Sequence, residues 1–240
     1  MTHLSDLKDV HPRTAVVSGS NRGTGRAIAE ALVAARYRVV SINRSRSADP
    51  VGPEHLCDLA DPAALTEALD EIRSDCQRVD LVVCNAATRL RRRVADADAR
   101  DWHGSLMANI AAPALMVSAL LPHLRRTAGL AILIGSHAAD RFFEGGALYS
   151  STKAGARALF ETLLLEERPH GVRSMVISPG AIANREADSS PFKMSPDSIG
   201  KLVVTLAASL PADIAIGEVE IRPALLDPAV PTGMIRLQSV

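Results

Sequence analysis

From Thr14 onward the chain alternates short runs that are almost wholly apolar with longer stretches whose apolar residues recur every three or four positions. That alternation constrains the fold more than any other feature. Residues 14–17, 37–42, 79–84, 130–135, 172–178 and 217–221 read as strands. Between them, residues 26–36 place Ile28, Ala31, Leu32 and Ala35 on one helical stripe. Residues 61–76 carry Leu65, Leu69 and Ile72 behind an Asp cap, with Pro62 at the first helical position. Further helices are expected over 99–126, 147–167 and 195–209, the last opening as Ser-Pro-Asp. Strands without polar alternation are buried on both faces, as in a parallel sheet, and parallel strands need crossover connections. The expectation is an α/β fold: a single domain over residues 1–240, a doubly wound parallel sheet with helices on both faces.

Composition narrows the function classes. Aromatic residues make up only 3% of the chain, so Ala, Val, Leu and Ile must fill the core. Lys plus Arg and Asp plus Glu number 27 each, which leaves no global field to draw nucleic acid or an anionic membrane. Cys57, Cys76 and Cys84 have neither metal-site spacing nor a disulfide framework, as suits a reducing cytoplasm. The opening residues 1–10 are polar and mixed in charge, and no unbroken apolar run reaches the length of a membrane span.

Two local patterns carry chemistry. The first is the loop between the first strand and its helix, Ser18-Gly19-Ser20-Asn21-Arg22-Gly23-Thr24-Gly25. Glycines there let the backbone turn tightly and approach a pyrophosphate, with a helix N-terminus aimed at it. The second is Tyr149 and Lys153, one helical turn apart and hence on one helix face. A cation beside a phenol favours the phenolate, which suits a phenol to proton transfer near neutral pH. Ser136 ends the fourth strand thirteen positions before Tyr149, and Asn109 lies in the long helical stretch before that strand.

In order and spacing these residues resemble the short-chain dehydrogenase/reductase family over nearly the whole chain. The resemblance implies a Rossmann-type fold and an oxidoreductase with Asn109, Ser136, Tyr149 and Lys153 as its catalytic tetrad. In those roles Tyr149 donates a proton to a carbonyl oxygen and Ser136 hydrogen-bonds that oxygen. Lys153 supports Tyr149 and holds the nicotinamide ribose, and Asn109 fixes a water linking Lys153 to solvent. The cofactor would be held by Gly19, Asn21, Arg22, Gly23, Thr24 and Gly25, by Asp58 and Leu59 at the adenine, and by Asn85 and Ala86 past the third expected strand. Tyr149, Lys153, Pro179, Gly180 and Ile182 would lie along its nicotinamide half. The chain departs from the family at Cys84 and Ala87, which flank Asn85-Ala86, and at Asn184, where a Thr is common.

A carboxylate ending the second strand would favour NAD and repel a 2′-phosphate. This chain has Asn43, Arg44 and Ser45 there, and Arg22 supplies a second basic position, so NADP (as NADPH) is the expected cofactor. The expected activity is reduction of a small-molecule ketone or other carbonyl to an alcohol. An NAD-linked alcohol dehydrogenase and a non-catalytic, cofactor-binding regulator are the alternatives. Residues 183–194 form a short polar lid, and the family's paired-helix interface implies a homodimer or homotetramer. Strand alternation points His137 away from Ser136. Phe142 and Phe143 suit a pocket wall or the core, and the arginines at 89, 91, 92 and 93 suit either an anionic substrate or a solvated face.

Overall fold

The computed structural model describes residues 12–184, 188–225 and 228. Among these residues seven parallel strands form one sheet, in the order β3-β2-β1-β4-β5-β6-β7. The strands are β1 (Thr14–Ser18), β2 (Arg38–Asn43), β3 (Glu54–Leu56), β4 (Leu81–Cys84), β5 (Leu130–Ile134), β6 (Arg173–Pro179) and β7 (Glu218–Ile221). Between them run the helices α1 (Gly23–Ala34), α2 (Pro62–Asp75), α3 (Ala99–Leu106), α4 (Ala112–Thr127), α5 (Ala147–Glu167) and α6 (Pro196–Ser209). Strand order reverses between β1 and β4, and the crevice above such a reversal is where open α/β sheets bind ligands.

Alternate residues of each buried strand feed two separate cores. Ala15 and Val17 of β1 pack with Ile28 and Leu32 of α1 and Ile199 and Val203 of α6. Val16, between them, packs with Leu65 and Leu69 of α2, Leu120 of α4 and Phe160 of α5. Each fully buried Leu or Ile contributes roughly 1.5–3 kcal/mol, so the aliphatic runs suffice to hold helices on both faces.

Helix starts follow the sequence signals. Asp61 caps α2 by accepting from the backbone N–H groups of Ala63 and Ala64, and Ser195 caps α6 by accepting from that of Ser198. The stretch Ala99–Thr127 has the length of a membrane-crossing helix and, at a mean hydropathy of 1.6, the composition of one. Its face carrying Met116, Leu120 and Leu124 is buried with Val82 of β4 and Leu133 of β5, so core packing accounts for that apolarity.

Two features differ from the sequence expectation. β3 is a three-residue edge strand, Glu54-His55-Leu56, paired with β2. It is too short and polar to register as an apolar run. The single helix expected over 99–126 is broken by a π turn at Met107–Ala111, where the Ala112 N–H bonds the Met107 carbonyl. Pro113 lacks the N–H that would bond the Asn109 carbonyl in a regular helix, and the π turn lies directly before it; Pro122 lacks the same group inside α4 without a π turn.

Two glycines separate close approach from idle space. A Cβ on Gly25 would lie 2.0 Å from the Gly19 carbonyl oxygen, whereas one on Gly104, inside α3, would meet nothing within 4 Å. Gly25→Ala is expected to lower the melting temperature sharply or abolish soluble expression. Gly104→Ala should stabilise by about 0.5–1 kcal/mol, the helix-propensity difference. Thermal and urea unfolding of the two variants check both signs.

Candidate active site

The crevice at the β1/β4 reversal is fastened by one serine and one asparagine. At the end of β1 the Ser18 hydroxyl accepts from the backbone N–H groups of Asn85, at 3.1 Å, and Ala86, at 3.2 Å. The Asn85 side-chain amide donates back to the Ser18 and Gly19 carbonyls at 3.0 and 3.2 Å. This exchange fastens the loop after β4 to the glycine loop after β1. Gly19 takes φ +70°, and a Cβ on it would lie 2.9 Å from that of Ala86. A left-handed backbone in so narrow a gap admits only glycine.

The Arg22 side chain makes no cap at the start of α1. A residue 160 positions later serves instead: the Asn184 Oδ1 accepts from Thr24 N at 3.0 Å and from Thr24 Oγ1 at 2.8 Å. The sequence marked Asn184 as a departure but gave no partner for it, because the contact joins two loops remote in the chain. A phosphate arriving at this helix start meets the same N–H group.

Asn43, expected among the cofactor-binding residues, is buried. Its Oδ1 accepts from Ser20 N at 2.7 Å, and its amide donates to Ser20 Oγ at 3.2 Å and to Glu54 Oε1 at 2.7 Å. Its side chain braces the glycine loop against β2 and β3, through a carboxylate that no sequence signal singles out. Asn21 donates to Ser45 Oγ at 3.0 Å and so ties the two loops at their tips. Arg22 and Arg44 are exposed, and no ion pair joins either to another described residue. Nearby Arg26, by contrast, pairs with Glu30 at 2.5 Å and Asp49 at 3.1 Å.

The exposed Asp58 accepts from Ala60 N at 3.0 Å, and Leu59 is buried in the core. Pro179 ends β6, and Gly180 N donates to Ile221 O at 2.9 Å. Ile182 bridges to Met194, and the Ala183 and Met194 amides bond the Met194 and Ala181 carbonyls, each at 2.9 Å. The ends of the expected lid are therefore stitched together; residues 185–187 lie outside the described residues.

On the other side of the crevice, Lys153 Nζ lies 5.8 Å from the centre of the Tyr149 ring. The Lys153 side chain is buried and donates to the Ile134 carbonyl at 2.7 Å, two residues before Ser136. No carboxylate of the described residues is within ion-pair distance of it. A buried ammonium without an anion is costly unless something else supplies acceptors. The Ser136 Oγ accepts from Ala138 N at 3.1 Å and so caps the short turn after β5.

Asn109 sits in the π turn, buried, with its side chain used inside the protein. Oδ1 accepts from Thr88 N at 2.7 Å, and Nδ2 donates to Thr88 O and Thr152 Oγ1, both at 2.9 Å. These bonds hold the loop after β4 against α5 one residue from Lys153. Burial pushes the neighbouring Cys84 thiol up to about 12, so it stays protonated beside the lysine.

The arginine run divides. Arg92 pairs with Asp101 at 2.9 Å and Arg93 with Glu144. Arg91 lies 5.4 Å from the Phe143 ring centre and Arg89 5.6 Å from that of Tyr149. Phe142, though exposed, joins Phe143, Val94 and Trp102 in lining a cavity of about 650 Å³ that also touches Ser150. None of Ser136, Tyr149 and Lys153 lines it.

The arrangement offers a phenol next to a buried cation, a hydroxyl at an adjacent strand end, and a helix N-terminus with two exposed guanidinium groups nearby. It suits proton delivery to an oxygen next to a bound phosphate-bearing nucleotide. Similarity to known proteins agrees. An uncharacterized oxidoreductase of Staphylococcus saprophyticus is 25% identical over 234 residues, covering 90% of this chain and all of that one. The structure of an alcohol dehydrogenase from the archaeon Thermococcus sibiricus, complexed with 5-hydroxy-NADP, superposes with a TM-score of 0.80 at 26% identity, over 90% of this chain and 98% of the other. A metagenomic short-chain oxidoreductase in complex with NADP gives a TM-score of 0.78 at 28% identity, over 89% and 98%. The sequence profile described as short chain dehydrogenase matches residues 13–191, three quarters of the length, and the chain belongs to that family.

Proposed function

We propose that the protein is an NADPH-dependent reductase that converts a carbonyl of a small molecule to an alcohol. The observation that carries this reading is Lys153: a buried ammonium 5.8 Å from the Tyr149 ring, with a carbonyl oxygen as its hydrogen-bond partner. Bound NADPH supplies the hydride. Tyr149 donates the proton to the carbonyl oxygen, and the Ser136 hydroxyl turns from its cap to hydrogen-bond the same oxygen as negative charge grows there. Lys153 has ammonium protons left, beyond its bond to Ile134, for ribose hydroxyls. Asn109 holds α5 and the loop after β4 in register, and the π turn beside it suits a water path to Lys153.

The glycine loop and the Thr24 amide would hold a pyrophosphate, for which the Thr24 N–H now bonded to Asn184 Oδ1 would be the donor. Arg22 and Arg44 fit a 2′-phosphate. Each such charge-assisted contact is worth roughly 1.5–3 kcal/mol, or about one to two decades of affinity. The two similar structures at 26% and 28% identity are complexes with NADP or a derivative of it, which supports the same choice.

Fluorescence titration is expected to give NADPH binding at least about tenfold tighter than NADH, and Arg44→Asp should narrow or invert that gap. Equal affinity in the unmodified protein removes the NADP assignment and favours an NAD-linked enzyme. Tyr149→Phe should leave NADPH affinity within a few-fold while steady-state turnover of ketones, quinones or 3-oxoacyl thioesters falls by about 10²–10⁴. Lys153→Ala should weaken binding as well as turnover. Full activity in Tyr149→Phe refutes the mechanism, and NADPH binding without turnover of any carbonyl points to a regulator.

The exposed Leu106 and Leu115 before and within α4, and Leu165 on α5, support the expected dimer or tetramer. Light scattering at micromolar concentration should give a multiple of 25.4 kDa, and a monomeric mass overturns it.

A further inference from the structure

His137 follows Ser136 directly and is buried at 4% exposure. Its Nδ1 accepts from Arg141 Nη1 at 2.7 Å. A guanidinium only donates, so Nδ1 holds the lone pair and Nε2 the proton. Nε2 lies 3.3 Å from Glu220 Oε1, too poorly aligned for a hydrogen bond but close enough for attraction. Glu220, on β7, is held by Arg141 Nη2 and by Arg222 Nε, each at 2.6 Å. The far edge of the ring abuts Gly180: a Cβ there would lie 3.0 Å from His137 Cε1 and 3.2 Å from Nδ1. The imidazole therefore fills the space between the segment leaving β5 and the segment leaving β6, pinned to β7.

We propose that His137 is a positioning residue whose ring, clamped by Arg141 and Glu220, sets the spacing between Ser136 and the Gly180 segment. That spacing decides where a carbonyl held by Ser136 lies relative to whatever packs on Gly180. The inference rests on the reductase reading above and adds a residue that touches neither substrate nor hydride.

The groups facing the ring are Arg141, Glu220, Arg222 and Asp140. Burial, then the Arg141 charge, holds the imidazole below its ordinary value, and the ring is neutral at pH 7. A proton on Nδ1 would meet the Arg141 donor head-on, release it, and free the ring from Gly180. An unfolded His takes up its proton near pH ~6.5, so the fold loses this contribution as pH drops below that value.

The experiment compares the unmodified protein with His137→Ala, His137→Asn and Glu220→Gln over pH 5–9, reading kcat, KM, NADPH affinity and melting temperature. Expected for His137→Ala is a fall in kcat of about tenfold or more, with NADPH affinity within about threefold. His137→Asn keeps an acceptor for Arg141 without a titratable ring, and its kcat should lose the acid limb. Glu220→Gln removes the carboxylate that favours His137 protonation, so the acid limb should move to lower pH; this arm stands even if the His137 variants fail to fold. An unchanged kcat in a folded His137→Ala, or an acid limb that neither His137→Asn nor Glu220→Gln moves, overturns the proposal. With Tyr149→Phe inactive in parallel, such a result leaves the reductase reading standing. An unmodified protein that reduces no carbonyl with NADPH ends both.

Discussion

Everything in the crevice is referred to one close approach of backbone, where β1 ends and α1 begins. The Gly25 Cα stands against the Gly19 carbonyl, and the Asn85 side chain, which bonds that same carbonyl, closes on the same side: a Cβ on Gly25 would lie 2.4 Å from its amide nitrogen. β1 and β4 are paired in parallel directly below, so the two loops leave the sheet side by side. Without a side chain at Gly19 or Gly25 the helix can start immediately above the strand, which leaves the Thr24 N–H facing the crevice. A larger residue would push α1 away, and with it the site for a phosphate. The Ser18 and Asn85 bonds then carry this fixed point to the loop after β4, whose Thr88 is clamped by Asn109. Asn109 bonds Thr152, the neighbour of Lys153. A chain of short polar contacts thus runs from the nucleotide side of the crevice to the phenol side.

Much of this was legible in the amino-acid sequence, and the reason is locality. Aliphatic runs and capped amphipathic stretches report burial residue by residue, and the helix Ala147–Glu167 appears at the expected ends. Tyr149 and Lys153 share a helix, so their spacing alone places them on one face. What sequence periodicity misses are contacts between loops far apart in the chain. Asn43 reads as a polar residue at a strand end, the usual place for a ribose contact; its burial under Ser20 and Glu54 depends on β3, a strand with no apolar signal. Asn184 reads as a substitution in a lid, and only the fold brings it to Thr24. The π turn at Asn109 lies four residues before Pro113, but Pro122 lacks the same N–H inside a continuous α4, so a proline alone does not mark such a turn in the sequence.

The charges sort by whether the protein itself answers them. Arg26, Arg92 and Arg93 meet carboxylates, and Arg125 meets Glu167 at 2.7 Å, where the guanidinium holds the Glu167 carboxyl below its usual range. The exposed Arg93–Glu144 pair adds little to stability, whereas the Glu167 carboxylate is buried and depends on its guanidinium partner. Arg22 and Arg44 are exposed near the start of α1 and have no carboxylate partner among the described residues. A run of arginines looks uniform in sequence, yet Arg92 and Arg93 are neutralised by Asp101 and Glu144. Charge density along the chain is therefore a poor guide to an anion site, and pairing in space is a better one.

Lys153 carries the argument furthest, because its position works against folding. Burying an ammonium costs several kcal/mol, and one carbonyl hydrogen bond offsets only part of that. A nearby carboxylate would relieve the cost, but it would also neutralise the field at Tyr149. The adjacent Cys84 could serve as a counter-ion only as thiolate, and burial keeps it protonated at neutral pH. The cation is thus kept whole, held by the Ile134 carbonyl at a fixed distance from the phenol ring. A charge that no carboxylate of the described residues answers keeps a preference for hydroxyl and oxyanion partners, which is what the proposed reductase reading asks of it.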